Sequence, residues 1–234
     1  FPIKTLAPNV RKIVFNHNLP YPISTNRYYE FVKQDPSVKL SVFATEEQAV
    51  RWNCKGDYEI IPHALDVDSF PVWNPANDHI VTFCNDLANR NWACGSDVWR
   101  LVTRDLPNRR LYGWDNEVLG GKEQGVMGPV SYDEVKKILS ECSVFFNHTL
   151  HSTYPMTIAE AMAVGCPIVT TSTYFPAKIL SGGIDVVSNI LPVLRDSVIE
   201  ISHLEDREKW AKNGLKNRAK IKDYMHPDKF RQSW

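Results

Sequence analysis

The chain alternates short apolar runs with amphipathic stretches almost from end to end, and that alternation limits its fold more than any other feature. KIVFN (12–16), KLSVFA (39–44), YEIIP (58–62), HIVTFCN (79–85), RRLYGW (109–114), GVMG (125–128), SVFFNH (143–148) and PIVTT (167–171) have the length and composition of strands. Among them, residues 24–34, 45–53, 94–105, 131–141, 156–165, 174–181 and 189–198 read as helices. Thr45 ahead of Glu47 and Gln48, and Ser131 ahead of Asp133 and Glu134, supply the N-caps and first-turn acids that start two of these helices. The βαβα order implies an α/β fold with parallel, Rossmann-like sheets covered by helices on both faces. Ligands then bind where loops leave the carboxyl ends of the strands. A seam rich in Pro, Asp and Asn at 66–79 (DVDSFPVWNPANDH) separates two or three such units from five or six. The tail from Glu205 to Trp234 is charged and helical with a break at Pro227.

Composition removes several classes of function. The 234 residues carry 27 Lys and Arg against 27 Asp and Glu, so neither an extended nucleic-acid footprint nor an anionic-membrane surface is expected. No apolar run approaches the roughly 20 residues of a membrane span. The five cysteines are scattered and never form a C-x-x-C pair, which disfavours a disulfide framework or zinc site and fits a reducing, cytoplasmic compartment. There the glycosylation sequon Asn147-His148-Thr149 is coincidental. The chain begins at Phe1 rather than a methionine, so a trimmed or partial chain is expected.

One stretch carries chemistry of its own: HSTYPMTIAEAMAVGCPIVTT, residues 151–171. Pro155, with fixed φ and no N–H, suits the first turn of a helix. Met156 and Thr157 then present free N–H groups at the positive end of the helix dipole, where a phosphate binds. Glu160 lies one turn further on, placed to accept two hydrogen bonds from a vicinal diol. Amides for a diphosphate plus one acid for a ribose are what a nucleotide-sugar requires. A plain buried helix with a Pro start and an Ala-rich face fits the same residues, and this segment alone leaves both readings open.

The run Glu160-Ala161-Met162-Ala163-Val164-Gly165-Cys166-Pro167-Ile168-Val169 resembles the donor-site motif of retaining glycosyltransferases of the GT-B fold, close to family 4, the glycosyl transferases group 1. Ile61-Pro62-His63-Ala64-Leu65-Asp66 resembles the family's entry into its C-terminal domain. Gly128-Pro129-Val130-Ser131, followed by a helix and Ser143-Val144-Phe145-Phe146, resembles the stretch before the donor site. The order of these motifs agrees over roughly residues 55 to 200.

The resemblance implies a partial N-terminal, acceptor-side α/β segment (1–62), a C-terminal nucleotide-sugar-binding domain (63–212) and a helix crossing back (213–234). It implies transfer from a UDP- or GDP-type sugar donor to an acceptor that is not readable, with no cofactor and no metal. It assigns His17, Arg90 and Glu160 to catalysis, and Asn85, Arg90, Ser152, Thr153, Pro155, Met156, Thr157 and Glu160 to donor binding. Two positions depart from the pattern. The family's first acid, eight residues before Glu160, falls on Ser152, and one of its two cations falls on Asn85, leaving Arg90. Arg100, Arg104 or Lys122 are candidates to compensate; Asp115, Asn116 and Glu117 are candidates for the nucleotide pocket wall, against the favoured alternative of a solvated turn. A non-catalytic nucleotide-sugar-binding or assembly module is the alternative from a different class. An epimerase or phosphorylase on this fold fits less well.

Overall fold

The computed structural model describes residues 12–16, 38–54, 57–152, 156–172 and 184–232. The expected helices at 24–34 and 174–181 lie outside the described residues. The chain forms two units: one takes residues up to Ala64 and those from Asp228 onward, the other runs from Leu65 to Pro227.

In the first unit, β1 (Lys12–Asn16), β2 (Val38–Phe43) and β3 (Tyr58–Ile60) lie side by side in that order, all parallel. Helix α1 (Glu46–Arg51) starts where the sequence places it. Thr45 Oγ1 accepts the Gln48 N–H at 3.2 Å, and Gln48 Oε1 accepts the Ala44 N–H at 2.8 Å. Donors that a first helical turn leaves unpaired are thereby satisfied. Phe43, Ala49 and Trp52 form the small buried cluster of this unit.

The second unit is built on six parallel strands: β4 (Ile80–Phe83), β5 (Arg109–Tyr112), β6 (Val126–Gly128), β7 (Val144–Asn147), β8 (Ile168–Thr170) and β9 (Val186–Val187). Their order across the sheet is β6-β5-β4-β7-β8-β9. The chain lays down β4, moves outward to β5 and β6, then returns to place β7 against the other side of β4. Connections therefore leave β4 and β7 in opposite directions, and a crevice opens at their carboxyl ends.

The helices of this unit are α2 (Asn91–Cys94), α3 (Ser96–Val102), α4 (Tyr132–Glu141), α5 (Met156–Val164), α6 (Leu191–Ser202) and α7 (Arg207–Tyr224). A further helix, α8, spans Pro227–Gln232 after the break. The single helix expected over 94–105 is two helices instead, divided at Gly95 with φ +72°. The physical reason is a close approach: a Cβ on residue 95 would stand 2.6 Å from the His148 carbonyl oxygen. Helix α4 opens on a complete capping box, with Ser131 Oγ accepting the Glu134 N–H and the Glu134 carboxylate accepting the Ser131 N–H.

Helix α5 is the centre of the unit. Every residue from Ile158 to Val164 is buried, because the helix packs against β8, α4 and α7. An all-round apolar sequence is what such a position selects, and Glu160 is its one charged member. Gly165, at φ +83°, closes the helix against Gly214 of α7, where an added Cβ would meet the Gly165 carbonyl oxygen at 2.0 Å. Arg218 of α7 donates to the carbonyls of Ala163, Val67 (3.0 Å) and Phe70 (3.1 Å), tying the last turn of α5 to the seam. Asp185 accepts the Ile168 N–H at 2.9 Å and an Asn217 side-chain N–H at 3.4 Å, and burial pushes its carboxyl up to about 6.

Candidate functional site

A cavity of about 390 Å³ opens at the carboxyl ends of β4, β5 and β7, at the reversal of strand order. Two kinds of wall enclose it. The exits of β5 and β6 and the start of α4 give mainly aromatic and apolar side chains, among them Tyr112, Trp114, Val130 and Tyr132. The exits of β4 and β7 and helix α5 give Asn85, Arg90, His151, Ser152, Thr157 and Glu160.

Five of the nine expected site residues, Asn85, Arg90, Ser152, Thr157 and Glu160, thus meet at one cavity although 75 positions separate the first from the last. Met156, the first residue of α5, does not line it. His17, Thr153 and Pro155 lie outside the described residues. Arg100, Arg104 and Lys122 do not line the cavity, so Arg90 is the one Lys or Arg side chain among the described lining residues.

Glu160 is only 7% exposed. Burial pushes its carboxyl up, and this is opposed by a hydrogen bond from the Tyr132 phenol and by the nearby Lys136 ammonium. Tyr132, which is 51% exposed, is itself pushed up to about 12 by its partial burial and by the Glu160 charge. Lys136 lies one turn along α4, its Nζ 4.9 Å from the Tyr132 ring centre and 5.1 Å from that of Phe70. These rings hold the ammonium beside the carboxylate by cation–π attraction. The acid is accordingly oriented before any ligand arrives.

Asn85 has a role the sequence does not suggest. Its Oδ1 accepts the Trp114 N–H at 2.9 Å, latching the β4 exit to the β5 exit. Gly113, at φ +139°, makes this approach feasible, since a Cβ there would stand 2.2 Å from the Cys84 carbonyl oxygen. The family's cation at position 85 would have no acceptor with which to make that latch.

The expected pocket wall at Asp115, Asn116 and Glu117 is corrected by the structure: none of the three lines the cavity. Asn116 is buried and structural, accepting the Leu87 N–H at 2.9 Å and donating to the Cys84 carbonyl at 2.7 Å. The two histidines after β7 also part company. His148 is buried, with Nδ1 donating to the Cys94 carbonyl, and burial pushes it down to about 4, so it is neutral. His151 lines the cavity, its ring 5.5 Å from that of Trp92. Asn147 of the sequon is buried and donates to Thr170 Oγ1 at 2.9 Å, which removes it from any glycosylating enzyme's reach.

Tyr132 and Trp114 are among the lining residues that sequence reasoning missed. Trp114 is 63% exposed at the cavity although large aromatics are normally covered. The available signals were an aromatic directly after a strand-exit glycine and a tyrosine at the first position of a helix whose neighbours there are acids.

Residues 107–217 match the family described as Glycosyl transferases group 1. No curated protein sequence matches the chain. Among solved structures, TarM superposes with a TM-score of 0.72 at 14% identity, over 97% of this chain and 50% of its own. HepE of Anabaena, solved in complex with UDP-glucose, gives 0.72 at 14% identity over 94% of this chain and 70% of its own. Sucrose-phosphate synthase of Thermosynechococcus elongatus gives 0.72 at 14% identity over 95% and 65%. The chain therefore spans about half the length of TarM, and at these identities the likeness establishes the fold. The GT-B-type sheet, its crevice at the strand-order reversal and the match over residues 107–217 make this chain similar to the glycosyl transferases group 1 family.

Proposed function

We propose that this chain is a glycosyltransferase that takes its sugar from a nucleoside-diphosphate donor, with retention of configuration and without a metal ion. The observation that carries the reading is the meeting of Arg90, Thr157 and the buried carboxylate of Glu160 at one cavity. Arg90 and the start of α5 supply positive potential for the diphosphate. Glu160 accepts the two ribose hydroxyls, and the base lies against the wall that carries Trp114 and Tyr132. Ser152 hydrogen-bonds a hydroxyl of the transferred sugar, and Asn85 completes the donor's surroundings.

In this reaction the bond between the anomeric carbon and the leaving phosphate oxygen breaks while the acceptor oxygen bonds to the same face. The acceptor's proton passes to the departing phosphate oxygen. The protein contributes position and electrostatic stabilisation of the leaving diphosphate, which makes Arg90 the central group for rate. HepE, whose structure holds UDP-glucose, is a relative in fold for which a donor of this class is seen.

Ser152 favours one other reading, a nucleotide-sugar-binding module without turnover, because the family places a charged group there and serine carries none. Titration with UDP and GDP followed by a donor-hydrolysis assay separates the two. Binding with slow release of free sugar supports the transferase, binding without release supports the module, and no binding of either nucleotide refutes both.

A further inference from the structure

Among the described residues two tryptophans are exposed, Trp114 at 63% and Trp92 at 48%. Trp114 belongs to the wall proposed for the base. Trp92 belongs to the other side: it lies on α2, after the β4 exit, and its ring is 5.5 Å from that of His151. His151 lines the cavity beside Ser152, whereas Trp92 does not line it. The indole therefore stands just outside the polar wall, at the end where Ser152 is placed against the transferred sugar.

The turn that carries Trp92 is fastened on two sides. The carbonyl of Ala93 accepts the N–H groups of Leu150 at 2.8 Å and His151 at 2.9 Å, which ties α2 to the β7 exit. Asn91 Oδ1 accepts the Asp97 N–H at 3.1 Å, and Asn91 Nδ2 donates to Asp97 Oδ2 at 2.8 Å, which ties α2 to α3. Asp97 is exposed, so the carboxylate that receives this bond also faces water. A large aromatic face is thus held rigidly in solvent next to an amide and an acid. Leaving an indole in water forgoes burial that a tryptophan normally gains, and fixing it there prepares it for a ligand at low entropic cost.

We propose that Trp92, edged by Asn91 and Asp97, is an acceptor subsite and that the acceptor is itself a sugar. That the bound sugar is the acceptor rests on the donor-site reading above; that Trp92 binds a sugar does not.

The chemical class follows from the two kinds of group. A pyranose carries C–H bonds on one face and hydroxyls around its rim. The C–H face lies on an indole, whose negative π-face attracts the weakly positive hydrogens. The rim hydroxyls donate to the Asp97 carboxylate and exchange hydrogen bonds with the Asn91 amide. A lipid chain fits poorly, because covering the indole with hydrocarbon would also take the exposed carboxylate out of water. Position agrees as well, since an acceptor hydroxyl must approach the donor from the end that carries the transferred sugar.

The test uses the full chain and saturation-transfer NMR with the methyl glycosides of glucose, galactose, mannose and N-acetylglucosamine, with and without saturating UDP. At least one glycoside should bind, with the strongest transfer to the protons of one C–H face, and it should stay bound when UDP is added. Trp92→Ala should weaken that binding by about tenfold at an unchanged unfolding midpoint, and Trp92→Phe, which keeps an aromatic face, by less. Absence of binding by all four glycosides, binding indifferent to Trp92→Ala, or displacement of the glycoside by UDP overturns the proposal. If the protein binds neither UDP nor GDP, the donor-site reading is what fails, and the Trp92 dependence of glycoside binding without nucleotide decides the sugar site alone.

Discussion

Replacing Glu160 by glutamine should move stability and nucleotide affinity in opposite directions. The carboxyl is 7% exposed, and burial is the largest influence on it, pushing its protonation upward in pH. An acid so raised binds its proton more tightly folded than unfolded. Its ionisation therefore costs stability that begins to be lost as pH climbs through the ordinary glutamate range, and the cost is complete above the folded value. Glu160→Gln removes that cost and keeps the side chain's volume and an acceptor for the Tyr132 phenol. The ligand-free variant should be as stable as the parent or gain up to about 1 kcal/mol, about 2–4 °C in Tm for a chain of this size. Affinity goes the other way. Each ribose hydroxyl loses a charge-assisted acceptor and keeps at best a neutral one, a difference of about 1–1.5 kcal/mol. Two such bonds give about 2–3 kcal/mol, or a 30- to 150-fold rise in the UDP dissociation constant. Thermal unfolding without ligand and calorimetric titration with UDP measure the two quantities. A Tm fall of more than about 4 °C with unchanged UDP affinity would show that the carboxylate serves the fold and not the nucleotide.

Arg90→Ala should lower the rate of donor hydrolysis by about 100-fold while weakening UDP binding by only about tenfold, because the leaving diphosphate gains charge as the bond breaks; equal losses in steady-state kinetics and titration would make Arg90 a ground-state contact. Gly214→Ala normally favours a helix by about 1 kcal/mol, yet here the new Cβ would lie 2.0 Å from the Gly165 carbonyl oxygen. A net loss of about 1–3 kcal/mol in urea unfolding is expected, and a gain would refute the close helix contact. Asp185, pushed up to about 6 by burial, withdraws on the order of 3 kcal/mol of stability as pH rises from roughly 4 through 6. Asp185→Asn should flatten that part of the stability–pH curve, and an unchanged slope would count against it.

What was legible in the sequence is what short-range physics decides. Strand runs, the Thr45 cap and the Ser131 capping box involve residues within four positions of each other, and the structure forms them where the sequence places them. Glu160 stood out because it is the single charge in an otherwise apolar helix. The rest depends on distant partners. Gly95 breaks a helix only because the His148 carbonyl arrives from 53 residues further along the chain. Asn116 resembles a polar loop residue until Leu87 and Cys84 present a donor and an acceptor to it. Strand β9 is two residues long at a sheet edge, too short for any periodicity. Tyr132 reads as a helix-start residue, and nothing local shows that its phenol will reach a carboxylate on the next helix.

The Asn85–Trp114 bond makes a positive charge and a stiff rim mutually exclusive at one position. Writing arginine or lysine back at residue 85 would return the missing electrostatic pull, but it would unfasten the indole-bearing turn and let it swing. Any attempt to engineer a stronger grip on the donor's phosphates here therefore trades against the rigidity of the surface offered to its base, and the two would need to be altered together.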